Sequence, residues 1–310
     1  MRCCHADFAL VEGSDRGFTV GMPTFTFGPG VLAEAGDNAR DLGMTRVGLF
    51  TDTRLVSGEH VAKVRASLAE AGDNALELGM RRVALYTDAR LAGGEHVAKV
   101  RASLAAAGVD VAVYDAVKIE PDDASFQDAA RFAGGGRFDG YVSVGGGSVM
   151  DTCKVANLYA EHPADFMAYV NAPIGEGRRV PGAVRPHIAC PTPSGTGSET
   201  TGIAIFTLRS INAKTGIISR RLIPSIALVD PDVTRSLPGA AVASTGFDCM
   251  SHALESITAR AYPRRLNPAK GALRPVSQGA NAFSDMLATE ALKLVGQFLE
   301  RAVRDASDTE

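Results

Sequence analysis

Six short apolar runs, each bounded by Gly, Pro or Asp, recur through the first two thirds of the chain. They are RVGLF (46–50), RVALY (82–86), VDVAVYD (109–115), GYVSVGG (140–146), HIACPT (187–192) and SIALVD (225–230). Runs of this kind are typical of strands that are buried on both faces of a sheet. Helical segments such as 58–72 and 122–134 lie between several of them. The alternation predicts a parallel α/β sheet with helices on both faces.

The pattern changes near Pro238. Two segments with helical spacing, 240–262 and 284–303, follow without a strand between them, and a Pro- and Gly-rich connection separates them. We therefore predict two domains, an α/β domain over 1–235 and an all-α domain over 236–310.

An internal duplication lies inside the first of these domains. Residues 32–67 reappear at 68–103 with a period of 36, and 28 of the 36 positions are identical. Two copies inside an α/β domain do not make a solenoid. Only one copy can occupy the position that the rest of the sheet provides, and the other is expected to add an edge strand or to loop out.

Composition excludes several classes of protein. The chain is 45% hydrophobic and 22% charged, and its net charge of −3 gives no basic field for nucleic acid or for an anionic membrane. No apolar run approaches the ~20 residues that span a bilayer, and the N-terminus lacks the pattern of a signal peptide. Five cysteines form no CxxC pair, which predicts a reduced, cytoplasmic protein.

A glycine run, Gly145 to Gly147 followed by Ser148, connects a predicted strand to a predicted helix. Glycines let a ligand approach the backbone, and a helix N-terminus offers free N–H groups and a positive dipole end, so this stretch suits a pyrophosphate. A tight turn that needs positive φ is the alternative. Asp151 is placed at the start of the helix, as a candidate cofactor-binding residue or as a favourable acid in the first turn.

Two further stretches could contact a cofactor. The run CPTPSGTGSETTG (190–202) offers hydroxyls and amides to a phosphate or a nicotinamide, or it is a polar loop in which Ser198 or Thr196 caps a helix. Asp52 and Asp88, at the ends of the duplicated strands, could bind an adenosine ribose or cap the next helix.

Asp248 and His252 lie four positions apart in GFDCMSHALES (246–256), so they project from one helix face. A carboxylate and an imidazole suit a divalent ion such as Fe²⁺ or Zn²⁺. A surface pair or a buried, satisfied histidine is the alternative. Two ligands do not close a catalytic site, which needs three or more.

In this order, these stretches resemble the iron-containing alcohol dehydrogenase family. The general resemblance rests on GGGSVMD, PTPSGTGSE, LVDP and GFDCMSHALES. A narrower resemblance, to the hydroxyacid-oxoacid transhydrogenase subfamily, rests on GGGSVMDTCKVANLYAEHPADFMAYVNAPIGEG, SGTGSETTGIAIF and NPAKGALRPVSQGANAFSD. The resemblance covers about residues 20–305, apart from the extra repeat copy.

The resemblance implies a Rossmann-like NAD-binding domain followed by an all-α metal-binding domain that is incomplete in this chain. It implies NAD contacts by Gly146, Gly147 and Ser148 at the pyrophosphate, Thr192 and Ser194 near the nicotinamide, Lys214 near its ribose, and Asp52 or Asp88 at the adenosine ribose. Asp248 and His252 match the first two metal ligands, and no catalytic residue beyond the metal site is implied.

The implied reaction moves a hydride from 4-hydroxybutyrate or 3-hydroxybutyrate through bound NAD to 2-oxoglutarate at Fe²⁺ or Zn²⁺. An NAD-dependent alcohol dehydrogenase and an inactive nucleotide-binding remnant are the alternatives. We expect small hydroxyacid and oxoacid partners and no nucleic acid or membrane partner, and homo-oligomer formation is left open.

The duplication is one departure from the family pattern, and it leaves open which Asp reaches the ribose. The chain departs from the pattern at two further places. Family members have Thr-Thr where this chain has Thr192-Pro193, which removes one hydroxyl and one backbone donor. The family also takes its third and fourth metal ligands from later histidines, and no histidine follows His252 in this sequence. We therefore expect a truncated helical domain that binds its metal weakly.

Overall fold

A computed structural model describes residues 12–13, 21–27, 35, 42, 44, 46–50, 110–229, 231–234, 237–266, 268, 274–305 and 308. The second repeat copy, the strand predicted at 82–86 and the helix predicted at 58–72 lie outside the described residues. In the part of the chain that is described, no helix is both long and apolar enough to cross a membrane.

Among the described residues, strands and α-helices alternate from the third strand to the fifth, and the last two long elements are helices. In chain order the elements are β1 (Thr24–Phe27), β2 (Arg46–Phe50), β3 (Asp110–Tyr114), α1 (Asp123–Gly136), β4 (Gly140–Gly145), α2 (Gly147–Glu161), β5 (His187–Pro191), β6 (Ile203–Leu208), β7 (Ala213–Ile218), β8 (Ile226–Val229), α3 (Gly239–Thr258) and α4 (Ala282–Arg304). Short 3₁₀ helices cover Phe166–Ala168, Ser198–Thr200, Arg220–Leu222, Pro231–Thr234 and Tyr262–Arg264.

Six strands form one sheet in the order β1-β8-β5-β4-β2-β3, and every neighbouring pair is parallel. β6 and β7 form a separate antiparallel pair. The predicted fold class, a parallel α/β sheet followed by a helical part, is confirmed. Sequence reasoning did not identify β1 or the β6–β7 hairpin.

The residues fall into two compact units by their contacts. The sheet unit is Met22–Thr192 with Gly197–Val233, and the helical unit is Met1–Gly21, Pro193–Thr196 and Thr234–Glu310. The short segment Pro193–Thr196 therefore leaves the sheet unit for four residues and then returns to it.

Strand order fixes where a ligand is expected to bind in the sheet unit. The strands β3-β2-β4-β5-β8 follow the doubly wound order in which the connections reverse direction between the first and the third strand. That reversal lies between β2 and β4. Ligands of such sheets bind outside the carboxyl ends of the strands at this switch point, where β4 runs into the glycine run.

The strand β2 comes from the first repeat copy. Phe50 is fully buried, and its ring centroid lies 5.5 Å from that of Tyr114 and 5.9 Å from that of Tyr141. A Cβ atom on Gly48 would lie 3.2 Å from the Phe50 ring and 3.3 Å from the Tyr141 ring. The second copy carries Ala84 and Tyr86 at these positions, so the first copy fits this place in the sheet better.

We predict that Gly48→Ala and Phe50→Tyr each destabilise the protein. The added methyl overpacks a tight aromatic contact, and the added hydroxyl is buried among rings, so each change costs about 1–3 kcal/mol of unfolding free energy. Urea denaturation measures the loss. Gly134→Ala in α1, where a Cβ meets nothing within 4 Å, is the matched control and is neutral or stabilising. Equal stability of Gly48→Ala and wild type would contradict the packing argument.

His187 begins β5 and is 3% exposed. A hydrogen bond of 2.8 Å joins its Nε2 to the Ser143 hydroxyl on the neighbouring strand. Burial lowers the pKa of His187 to about 3, and the nearby Lys154 ammonium adds to the effect. The imidazole is therefore neutral in the fold and, unlike Asp248 and His252, it is part of the sheet core.

This buried histidine predicts a loss of stability in acid. Between about pH 6.5 and pH 3 the unfolded chain binds a proton at His187 that the folded chain does not bind, so the unfolding free energy falls as pH falls. The slope from this group is at most about 1.4 kcal/mol per pH unit. Denaturation at several pH values should show a shallower slope for His187→Gln, whereas His162→Gln, at the end of α2, serves as the control. An unchanged slope in His187→Gln would refute the assignment.

Candidate cofactor and metal sites

The glycine run forms the N-terminus of α2, at the carboxyl end of β4. α2 is 15 residues long, and its N-cap is Gly146, which supplies no side-chain hydrogen bond to the helix. Gly146, Gly147 and Ser148 are partly exposed, between buried neighbours on both sides. The first N–H groups of a helix have no intrahelical acceptor. The N-terminus of α2 is therefore an accessible anion site at the switch point of the sheet.

Gly145, at the end of β4, contacts the polar run 190–202 beside the N-terminus of α2. It has a φ of +157°, and a Cβ atom there would lie 2.5 Å from the Val149 side chain, so both the backbone and the space require glycine. Its carbonyl accepts a hydrogen bond of 3.1 Å from the backbone N–H of Thr192. Thr192 directly follows β5 and is 6% exposed. Two of the predicted cofactor stretches are thus adjacent in the sheet unit.

Asp151 connects α2 to the polar run after β5. α2 begins at Gly147, four residues before the predicted start, so Asp151 is not a first-turn acid. Its Oδ1 accepts a 2.6 Å hydrogen bond from the Ser198 hydroxyl, and its Oδ2 accepts one of 2.9 Å from the backbone N–H of Ile205. Ser198 is also not a cap, since the N-cap of its 3₁₀ helix is Gly197.

Lys154 was not identified from the sequence. It lies one turn after Asp151, and its side chain is fully buried. Burial lowers the pKa of Lys154, against the opposing effect of the Asp151 carboxylate. The available sequence signal was that Lys154 is the one basic residue of α2 and lies in a mainly apolar stretch, VMDTCKVANLY (149–159).

Other predicted cofactor residues are placed less directly. Lys214 lies on β7, and its ammonium is 2.7 Å from the Glu120 carboxylate, with both side chains largely exposed. An exposed pair of this kind contributes little stability, so Lys214 can exchange its partner for a phosphate or a ribose. Asp52 follows β2 by two residues, but Asp52 and Asp88 themselves lie outside the described residues.

The candidate metal pair lies in the helical unit, on α3. The Nε2 of His252 is 3.8 Å from Oδ1 of Asp248, and both side chains are about half exposed. Nitrogen and oxygen ligands lie about 2.0–2.2 Å from an ion such as Zn²⁺, so two of them on one ion are separated by roughly 3–4 Å. The pair is therefore spaced to hold a divalent ion between its two ligand atoms.

Gly195 sets the orientation of the imidazole within the same unit. The Nδ1 of His252 is 3.1 Å from the Gly195 carbonyl oxygen, which can only accept a hydrogen bond. Nδ1 therefore donates to this carbonyl, which leaves Nε2, on the side of the Asp248 carboxylate, as the ring nitrogen that could bind a metal. A hydrogen bond of this type to the second ring nitrogen is usual for a histidine that binds a metal.

Gly195 is required at this position. It has a φ of +120°, and a Cβ atom there would lie 3.1 Å from Oδ2 of Asp248 and 3.1 Å from the Thr245 carbonyl oxygen. Ser194, predicted near the nicotinamide, is exposed and lies beside α3, where its hydroxyl is 3.4 Å from that of Thr245.

The chemistry of the two donors fits a divalent cation as part of its ligand set. No group of three or more His, Cys, Asp or Glu side chains that could hold a metal occurs among the described residues. Within the part of the chain that the structure describes, Asp248 and His252 therefore stay a candidate pair of ligands without a third.

The family model for iron-containing alcohol dehydrogenases matches residues 65–231, more than half of the chain. The chain belongs to the iron-containing alcohol dehydrogenase family. The match takes in the second repeat copy, with Asp88, whereas the sheet contains the strand of the first copy, which precedes Asp52. Either Asp therefore stays a candidate for the ribose.

Curated relatives in this family are longer than the chain. It is 50% identical over 299 residues to the mitochondrial hydroxyacid-oxoacid transhydrogenase of Xenopus tropicalis. The matched region covers 96% of this chain and 57% of that protein. The mouse transhydrogenase is 44% identical over the same shares. The chain thus spans a little over half the length of these relatives.

The names of these relatives overturn one prediction. A cytoplasmic protein was expected, but the relatives are named as mitochondrial. The prediction was wrong because free cysteines indicate a reducing environment and do not distinguish one such compartment from another.

Solved structures in the same family share the fold. A 1,3-propanediol oxidoreductase matches with a TM-score of 0.71 and 25% identity, over 94% of this chain and 62% of its own. A sulfoacetaldehyde reductase from Bifidobacterium kashiwanohense, solved with NAD⁺, matches with a TM-score of 0.68 and 24% identity, over 94% of this chain and 62% of its own.

We predict that Gly195→Ala disturbs the metal pair. The added methyl strains a left-handed backbone and approaches the Asp248 carboxylate, so the hydrogen bond that orients His252 is lost. Affinity for Zn²⁺ should fall by about 10- to 100-fold. Competition titration measures the affinity, and ¹⁵N NMR of the imidazole reports the tautomer without metal.

The matched control is Gly296→Ala in α4, where a Cβ atom meets nothing within 4 Å. A variant Gly195→Ala that keeps the Nδ1–H tautomer and the Zn²⁺ affinity of the wild type would contradict the role given to Gly195.

Proposed function

We propose that the chain carries the cofactor-binding part and half of the metal site of a hydroxyacid-oxoacid transhydrogenase. The observation that carries the proposal is the identity of 44–50% to proteins of that name along 96% of the chain. The accessible N-terminus of α2, at the switch point of the sheet, supports it from the geometry. The proposed substrates are 4-hydroxybutyrate or 3-hydroxybutyrate as hydride donor and 2-oxoglutarate as acceptor.

In this proposal the sheet unit binds NAD. Gly146, Gly147 and Ser148 present backbone N–H groups to the pyrophosphate, and the dipole of α2 favours its negative charge. Thr192 lies beside this loop and contributes near the nicotinamide, with Ser194 as a further candidate. Lys214 is proposed near the nicotinamide ribose, and Asp52 or Asp88 at the adenosine ribose. Bound NAD supplies the two-electron carrier that the side chains of the chain lack.

Asp248 and His252 are proposed to hold a divalent metal, Fe²⁺ or Zn²⁺. Such an ion, when bound, polarises an alcohol or carbonyl oxygen of the substrate. Gly195 keeps the proton of His252 on Nδ1, so that Nε2 stays available as a ligand atom. Hydroxyacids and oxoacids are small and anionic, and a net charge of −3 spread over 310 residues gives no long-range attraction for them. Local hydrogen-bond donors are therefore needed to bind them.

An isotope experiment tests the reaction. The full chain is purified anaerobically, supplied with Fe²⁺ or with Zn²⁺, and incubated with NAD, 2-oxoglutarate and 4-hydroxybutyrate that carries deuterium on its carbinol carbon. Direct hydride transfer places deuterium on C2 of 2-hydroxyglutarate, while the aldehyde of the donor accumulates in equal amount. His252→Ala should reduce this transfer by on the order of 100-fold or more, whereas His162→Ala should not.

The readouts separate the alternatives. Net release of NADH without an oxoacid would favour a plain NAD-dependent alcohol dehydrogenase. NADH binding without any transfer of deuterium would indicate a nucleotide-binding protein and would contradict the transhydrogenase proposal for this chain.

A further inference from the structure

The Lys154 ammonium has hydrogen-bond acceptors on three sides. Its Nζ lies 2.7 Å from the Ser198 hydroxyl, 2.9 Å from the Ile203 carbonyl oxygen and 3.4 Å from the Thr201 hydroxyl. The nearer carboxylate oxygen of Asp151 is 3.5 Å away. Ser198 and Thr201 belong to the polar run 190–202 that follows β5, Ile203 is the first residue of β6, and Asp151 is on α2 itself.

The order of donors and acceptors in this group is unambiguous. Lys154 can only donate, so the Ser198 oxygen accepts from it, and the Ser198 hydrogen is then donated to Asp151 at 2.6 Å. Asp151 accepts in addition from the backbone of β6 at Ile205. Asp151 and Lys154 of α2 therefore both hold the segment Ser198–Ile205, and the Ser198 hydroxyl is shared between them.

Burying the Lys154 ammonium carries a large desolvation penalty. Removing a lysine from water costs several kcal/mol, and an apolar residue of similar size would pack in its place at less cost. This penalty is consistent with a role in fixing conformation. Hydrogen bonds from an ammonium to three acceptors define the geometry of a segment more closely than apolar contacts do.

The same helix carries the proposed pyrophosphate site at its first turn, two turns before Lys154. Thr192, at the other end of the polar run, is joined to the glycine loop through the Gly145 carbonyl. The polar run after β5 is therefore connected to β4 and α2 at two points. Thr192 bonds to Gly145 at the end of β4, and Ser198 bonds to Lys154 and Asp151 of α2.

We propose that Lys154 is a positioning residue of the cofactor site, which sets the conformation of the polar segment Gly197–Ile203 relative to the N-terminus of α2. It acts through Ser198 and the Ile203 carbonyl and does not itself contact the cofactor. This inference rests on the proposed function, because it takes the N-terminus of α2 to be the NAD site.

Titration of NADH into the full-length chain, followed by the fluorescence of the nucleotide, tests the inference. Lys154→Met keeps the length of the side chain and removes its charge. It should weaken NADH binding by about 10- to 100-fold, the factor expected for a lost charge-assisted hydrogen bond. Lys293→Met, at an exposed lysine of α4 that pairs with Glu290, is the matched control and should leave the affinity unchanged.

The pH profile distinguishes positioning by charge from packing alone. Lys154 faces Asp151 on its own helix and Glu199 on the polar segment, with Cys153 and His187 nearby. Burial lowers the pKa of Lys154 from 10.5. Wild-type affinity for NADH should therefore fall as pH rises through that lowered pKa, whereas Lys154→Met should bind weakly at every pH without this step.

Ser198→Ala provides a second variant in case Lys154→Met does not fold, as judged by circular dichroism. It removes the shared hydroxyl but keeps both charges, and it should also weaken NADH binding. Wild-type affinity in both folded variants, or an alkaline step that persists in Lys154→Met, would overturn the inference and leave the proposed function intact. A wild-type chain that binds no NADH at any pH would instead overturn the proposed function.

Discussion

The buried contact among Lys154, Ser198 and Asp151 is the interaction on which, in our proposal, the cofactor site of the sheet unit depends. It joins the helix that begins at the glycine run to the polar segment that follows the neighbouring strand. The parallel sheet places the two loops at the same edge, because the carboxyl ends of β4 and β5 are adjacent. The contact of Ser198 with Lys154 and Asp151 then fixes the polar run against α2. Strand order and this contact therefore both place the run beside the glycine run.

In the helical unit a backbone carbonyl, that of Gly195, orients a side chain of the candidate metal pair. Gly195 has the conformation and the small size that allow its carbonyl to reach His252 beside Asp248. The result is an imidazole with a defined tautomer next to a carboxylate, on one face of α3. In our proposal this pair supplies two ligands for a divalent ion.

Sequence reasoning recovered what depends on local pattern. The apolar runs at 46–50, 140–146 and 187–192 became β2, β4 and β5, because continuous burial needs continuous apolar sequence. The polar contacts were not predictable in the same way. Lys154 is 44 residues from Ser198, and His252 is 57 residues from Gly195, so nothing local indicates either pairing. The first-turn alternative for Asp151 was wrong because α2 begins four residues before the predicted start. The β6–β7 hairpin was overlooked beside the stronger signals of the buried strands.

The central claim is that a dinucleotide binds with its pyrophosphate at the N-terminus of α2. Amide hydrogen exchange, measured by mass spectrometry on the full chain with and without saturating NADH, tests it most directly. Binding there should slow exchange in peptides that contain Gly146, Gly147 and Ser148, since their N–H groups would then be hydrogen-bonded to phosphate oxygens. NADH binding that leaves these amides unprotected, with protection only elsewhere in the chain, would contradict the claim.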